Sequence, residues 1–332
     1  MNKSLISLDN LEKQNLINKN KRALLEPVVA QFQIRITPDM LNAIKNSQSA
    51  IEQNLVNYEN NPVFKQFVPD IAENTILPEE LIDPIGDNAY TPVAGIVHRY
   101  CDRVLLKLTA ACAVYCRFCF RREMIGAKGE QLSTKQLELA LDYIENHQEI
   151  WEVILTGGDP LIASQAQLTM LFTRLNKIAH VKNIRIHTRI PIVEPKRISA
   201  AMLSLFQTVF THQKSLYIVI HANHAQEFTE NAIKTLAQIA DAGIPMLSQS
   251  VLLKNINDNL DDLSTLMRTF ILHRIKPYYL HQMDLAKGTS HFKVDELYAR
   301  DLIRALRANI SGICIPVLIQ EIPAGVGKVP IF

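Results

Sequence analysis

The sequence predicts an α/β fold: an incomplete (β/α) barrel, a partial (β/α)6 barrel with a final strand, preceded by a mainly helical extension. Three observations predict it. From Arg103 onward, short β-rich runs alternate with amphipathic stretches, as parallel βαβ units require. From the second run to the sixth, run starts recur at roughly thirty residues, the usual length of one such unit. Six full units and a last strand are too few for a complete eightfold barrel. A doubly wound open sheet shares this periodicity. No GxGxxG fingerprint follows the first strand, which weakens the dinucleotide-binding version of that alternative.

The elements follow in order. Residues 1–95 carry helical patches such as ITPDMLNAIKNSQSAIEQNL and turns rich in Pro, Asn and Asp, with no strong strand, so they are expected to form an extension distinct from a barrel over residues 96–332. The expected strands are RVLLKLT, EVILTG, IRIHTR, LYIVIHA, MLSQSVLL, IKPYYLHQMD and ICIPVLIQEI. Between them lies TKQLELALDYIENH, opened by Ser133 with Gln136 three residues on, a capping-box signature. The other helices are QLTMLFTRLNKIA, AAMLSLFQTVF, TENAIKTLAQIADAG with Gly243 as its stop, LDDLSTLMRTFILHR and KVDELYARDLIRALRANI.

Composition narrows the function classes. An apolar fraction of 48% with 20% charged residues allows a sizeable core, and a net charge of +2 gives no basis for a nucleic-acid or membrane-surface partner. No apolar run approaches the roughly 18 residues of a membrane helix. The polar N-terminus lacks the apolar centre of a signal peptide, so a cytoplasmic protein is expected. In that reducing compartment clustered cysteines favour metal or redox chemistry over disulfides.

Chemistry in parallel barrels sits at the C-terminal ends of strands. Here those ends carry the cysteines of CAVYCRFCFRR, then Thr156-Gly157-Gly158-Asp159, His187-Thr188-Arg189, His221 with Asn223 and His224, Gln249, His281-Gln282-Met283-Asp284, and Gln320-Glu321. So many polar ends predict one convergent site. Cys112, Cys116 and Cys119 are one ligand short of a structural zinc site, and neither Cys101, Cys314 nor His221 supplies a paired CxxC spacing. A zinc-containing binding module is therefore the weaker reading. A 4Fe–4S cluster held by three thiolates leaves one iron open to a small chelating molecule.

The spacing CxxxCxxC, with the aromatic Phe118 before the last cysteine, resembles the radical S-adenosylmethionine (SAM) superfamily. The resemblance implies a partial barrel of the radical SAM type, a 4Fe–4S cluster on the three cysteines, SAM on the open iron and an external electron donor. It places Gly157, Gly158 and Asp159 at the methionine ammonium of SAM. Cys101 and Cys314 read as buried small residues.

A second set of residues remains. Lys328 follows the small, flexible turn IPAGVG, and Arg99 and Arg103 flank the start of the first strand. A lysine can hold a carbonyl cofactor covalently, and arginine pairs recognise phosphate. From residue type alone a solvated tail residue is the stronger reading of Lys328. GVGKV fails the Walker A pattern.

DNAYTPVAGIVHRYCDRVLL, CRFCFRR, GGDPL, HANH, QSVLLKNINDN, PYYLHQMDLAKGTSHF and SGICIP together resemble the lysine 2,3-aminomutase family, radical SAM enzymes that also use pyridoxal 5′-phosphate (PLP). RIHTRIPIVEPKRI and the compact C-terminus resemble the branch that supplies (R)-β-lysine for post-translational modification of elongation factor P. The resemblance implies that Lys328 carries PLP, that Arg99 and Arg103 help hold it, and that His221 and Gln249 line its site. Arg121 would pair with the carboxylate of L-lysine, and Asp284 and Glu321 with its distant ammonium. The family usually has aspartate where Glu321 stands. It further implies an indirect partner, a lysyl ligase acting on elongation factor P, and is compatible with a homo-oligomer. The zinc of relatives with a cysteine-bearing C-terminal extension is not expected. An aminomutase for another amino acid, such as glutamate, is the enzymatic alternative.

Overall fold

The computed structural model describes residues 3–46, 58–126, 131–211, 213–323, 325 and 327–332. Its centre is one nine-stranded sheet whose strands lie in sequence order. Strands β2 (Arg103–Thr109), β3 (Glu152–Gly157), β4 (Asn183–Thr188), β5 (Ser215–His221), β6 (Met246–Val251), β7 (Ile275–His281) and β8 (Val317–Ile322) are parallel neighbours. They are the seven expected from the alternation of runs. Two further strands close the edges. β1 (Ile96–Tyr100) pairs antiparallel with β2, and β9 (Gly327–Pro330) pairs antiparallel with β8.

These edge strands correct one expectation and sharpen another. Arg99 and Arg103 do not sit on one strand approach: a tight hairpin pairs Tyr100 with Arg103 and puts the two arginines on β1 and β2. Lys328 follows the turn, as expected, but on a strand that was not foreseen. It lies on β9 with its Cα opposite Glu321. The seam between β1 and β9 is closed by side chains, because the Lys328 N–H donates to Tyr100 Oη at 3.0 Å. Gly327 permits that approach: with φ +89°, a Cβ there would stand 1.9 Å from Tyr100 Oη.

Along each parallel strand, alternate residues face opposite sides. On β2 Val104, Leu106 and Leu108 are buried, while Arg103 and Leu105 line an internal cavity. On β4 the isoleucines Ile184 and Ile186 alternate with Asn183, Arg185 and His187, which face that cavity. The barrel is thus apolar under its helices, and within it charged and polar side chains stand among apolar ones such as Leu105, Ile154 and Leu247.

The six connecting helices are α5 (Thr134–Asn146), α6 (Gln165–Lys177), α8 (Ala200–Thr211), α9 (Glu230–Asp241), α10 (Leu260–Leu272) and α11 (Glu296–Asn309), with a short α7 (Ile190–Val193) after β4. The Ser133 and Gln136 capping box is formed at the start of α5. Before β1 lie α1 (Leu8–Lys13), α2 (Lys19–Gln31), α3 (Pro38–Lys45) and α4 (Pro62–Phe67), each opened by a side-chain cap from Ser7, Asn18, Thr37 or Asn61. α3 forms the first part of the expected helical patch. The patch continues beyond residue 46, outside the described residues. Buried residues of this extension, among them Leu25, Met40, Ile44 and Phe67, join the same apolar cluster as the barrel's Leu141, Phe172 and Phe206. Cys314 is buried as expected, whereas Cys101, in the β1–β2 turn, is exposed. Among the described residues no helix is long and apolar enough to cross a membrane.

Candidate active site in two stacked cavities

The polar strand ends do converge, but on two cavities rather than one. The upper cavity, about 150 Å³, lies at the C-terminal strand ends and is lined by Cys112, Cys116, Cys119, Gly157, Gly158, Asp159, His221, Gln249 and Asp284, among others. The lower, about 630 Å³, runs inside the barrel toward the opposite end, where Arg103, Glu152 and Asn183 are the first residues of their strands. It holds Arg99, Glu321 and Lys328. His187 is a wall of both. His221 and Gln249, neighbours in the β5–β6 register, line the cavity of the cysteines.

The turn after β3 is packed against the start of the cysteine loop. A Cβ at Gly158 would stand 2.2 Å from the Ala111 carbonyl, and one at Gly157, 2.5 Å from that of Thr109. The Gly158 and Asp159 N–H groups donate to Thr109 and Ala111 at 2.5 and 2.9 Å. Those donors are therefore spent inside the protein. The Asp159 carboxylate is also engaged, accepting from Thr188 Oγ1 at 2.8 Å, the Arg189 N–H at 2.7 Å and the Leu161 N–H at 3.1 Å. It ties the end of β3 to the end of β4, and this clamp was not foreseen.

The extension grips the cysteine loop. Glu73, fully buried, accepts two hydrogen bonds from Arg117, at 2.9 and 2.5 Å, and one from Arg122. The Arg117 N–H donates to the Gln66 carbonyl at 2.8 Å, and the Tyr115 N–H to that of Arg35 at 2.9 Å.

In the lower cavity the charges are already paired. Glu321 bridges Arg99 at 2.6 Å and Lys328 Nζ at 2.7 Å. Arg99 also donates to the Ile85 carbonyl. Arg103 pairs with Asp102 at 2.8 Å and lies 3.8 Å from the Tyr100 ring centre. Arg121 is held by Asp87 at 2.8 Å. Asp87, within DNAYTPV, had no expected role; only its remote partner reveals one. Burial, and then the charge of Glu321, push the Asp284 carboxyl up to about 7, against Lys328 and Arg121. Burial holds His187 and His221 well below the ordinary histidine range, and burial with Lys328 takes His281 down to about 3. All three imidazoles are neutral at pH 7.

Residues 106–267 match the Radical SAM superfamily. The L-lysine 2,3-aminomutase of Acetoanaerobium sticklandii is 35% identical over 90% of this chain and 73% of that protein. That of Clostridium subterminale is 33% identical over 98% and 75%, and that of Escherichia coli K12 is 35% identical over 88% and 84%. The chain belongs to the lysine 2,3-aminomutase family. Membership of this radical SAM family implies a 4Fe–4S cluster and SAM.

The residues present fit that family's cluster. Its expected ligands, Cys112, Cys116 and Cys119, line one cavity, and Arg189 and Arg121 bring positive charge to it. Without a metal, burial and a neighbouring thiolate push the Cys119 thiol up to about 11, and burial raises Cys112 and Cys116 as well. Among the described residues no three Cys, His, Asp or Glu side chains gather around a single ion position. A four-iron cluster does not require that, since each thiolate binds a different iron. Buried polar atoms without partners also occur here: the Nε2 atoms of His187, His221 and His281, and the Nε atoms of Arg99, Arg121 and Arg189. Folded cores leave few such atoms, and these border the two cavities, where a ligand would meet them.

Proposed function

We propose that the protein is an L-lysine 2,3-aminomutase that uses PLP beside its cluster and SAM, forming (R)-β-lysine for the modification of elongation factor P. One observation carries the reading. The cysteine cavity and the lysine cavity share the His187 wall, with Asp284 and Arg121 on the cysteine side and Glu321 and Lys328 on the other.

The cluster with SAM supplies a hydrogen-abstracting radical, and PLP supplies the conjugated group across which nitrogen passes between adjacent carbons. The chain's own residues bind and orient. Lys328 is the attachment point for PLP, with Arg99 and Arg103 toward its phosphate. Gly157 and Gly158 shape the seat of SAM. Arg121 takes the carboxylate of the amino acid by giving up Asp87. Asp284 receives the distant ammonium in the buried upper cavity. Glu321, which pairs with Lys328 at 2.7 Å, is released from that cation when the lysine is used for PLP, and can then face the same ammonium. Two neighbouring acids, Asp284 and Glu321, together with one arginine favour a substrate with a carboxylate at one end and an amine at the other. An external one-electron donor and a downstream lysyl ligase complete the pathway reading.

The test is an anaerobic assay with SAM, PLP, dithionite and a panel of amino acids, with chiral analysis of products. Conversion of L-lysine to (R)-β-lysine is expected. Turnover of glutamate in its place, or SAM cleavage without any β-amino acid, would overturn the assignment.

A further inference from the structure

Arg189, the residue after β4, is fixed from every side. One guanidinium nitrogen donates to Cys116 Sγ at 2.7 Å; the other donates to Glu227 at 2.5 Å and Gln66 Oε1 at 2.7 Å. The Phe67 and Phe118 rings flank it, with centres 4.8 and 5.6 Å away. Its main-chain N–H is held by Asp159. Glu227 is itself immobile: it is fully buried and accepts from the main-chain N–H groups of Asn223 and His224 at 2.7 and 2.9 Å and from Gln66 Nε2 at 3.0 Å. A cation, a sulfur and a carboxylate thus stand in a row, desolvated, with little freedom to rearrange.

We propose that Arg189 is a positioning residue that fixes Cys116 and, balanced by Glu227, sets the reduction potential of the cluster. The proposal rests on the cluster being held by Cys112, Cys116 and Cys119. Hydrogen bonds to cluster sulfurs and nearby charge are established levers on iron–sulfur potentials. Adding an electron makes the cluster and its thiolates more negative, so a fixed cationic donor at Cys116 stabilises the reduced form more than the oxidised one. Glu227 opposes it, because a buried carboxylate one guanidinium away destabilises the added electron. Neither residue need touch substrate for this to operate.

The experiment reconstitutes the wild type, Arg189→Gln, Arg189→Lys and Glu227→Gln anaerobically, measures iron per chain, and follows a redox titration by electron paramagnetic resonance without SAM. With iron retained, Arg189→Gln is expected to shift the midpoint to more negative values and Glu227→Gln to less negative ones. Arg189→Lys, which keeps a cation, should fall between the wild type and Arg189→Gln. Opposite signs distinguish electrostatic tuning from a packing defect, which would not reverse with the sign of the deleted charge. An unshifted midpoint in Arg189→Gln, or shifts of the same sign in both charge-removing variants, overturns the proposal. Should Arg189→Gln lose iron, Arg189→Lys must restore it, and failure to do so equally overturns the role. A wild type that takes up no iron would instead sink the cluster assignment beneath it.

Discussion

The two cavities hold their functional groups by opposite means. The cysteine loop is anchored by contacts that no ligand needs to displace: Glu73 on Arg117 and Arg122, Glu227 on Arg189, and Asp159 across to β4. In the lysine cavity the functional groups hold one another, Glu321 on Lys328 and Arg99, with Asp87 on the adjoining Arg121. The difference follows from what each must do. A cluster needs rigid ligands and stays in place, so its supports can be permanent. A bound amino acid comes and goes, and the charges that receive it need partners that can be exchanged.

The sharpest way to break this contrast is to remove one functional group from each side. Cys116→Ala should abolish cluster binding, read as iron content and absorbance near 400 nm, and with it SAM cleavage. Lys328→Ala should keep iron and absorbance, lose the borohydride-trappable PLP adduct, and form no β-amino acid. Because the Lys328 side chain is 33% exposed, its pair with Glu321 is worth no more than about 1 kcal/mol of stability after screening. An intact adduct in Lys328→Ala would move the attachment to another lysine, and SAM cleavage by Cys116→Ala would remove the cluster from these cysteines.

Next in size is the permanent support. The Glu73 side chain is completely buried between two guanidinium groups, and they hold its carboxyl below the ordinary range despite the opposing burial. Glu73→Gln preserves shape but leaves two buried cations with no counter-charge, a change expected to cost about 3–5 kcal/mol. Urea unfolding of the protein without added cofactors measures it. A loss below about 1 kcal/mol would mean that the loop stands without the extension.

The same contrast explains what could be read from the sequence. Cys112, Cys116 and Cys119 were legible because their spacing is local, and the seven parallel strands because burial imposes a repeat. β1 and β9 were not, since each is short and is placed by antiparallel pairing with a neighbouring strand, β2 or β8, which no local periodicity announces. The supports were hidden for a related reason. Glu73 lies 44 residues from Arg117 and Glu227 lies 38 from Arg189, and nothing in a carboxylate's immediate neighbours declares its partner. Arg185 and His187 did carry a signal, polar residues alternating with isoleucine on β4, which marks a strand whose inner face is a cavity.

The smallest effect tests the exchangeable side. Asp284 has its carboxyl raised to about 7 from the 3.8 of a free aspartate, first by burial and then by Glu321. The sign follows: a folded-state pKa above the unfolded one gives stability that is fully present below 3.8 and is lost as pH rises through about 7. Losing the charge on Lys328, one of the two cations that lower Asp284, leaves the carboxyl no easier to ionise. The ammonium of an incoming lysine favours the ionised form, so binding must first release this proton. KM for lysine should therefore fall roughly threefold to tenfold from pH 6 to pH 7.5 and level off above it, since each pH unit below the pKa costs up to tenfold in the ionised fraction. Asp284→Asn should raise KM and remove that slope while leaving SAM-binding affinity within about twofold. A KM for lysine that does not change with pH in the wild type would mean that Asp284 does not receive the ammonium, and that the exchangeable partner is Glu321 alone.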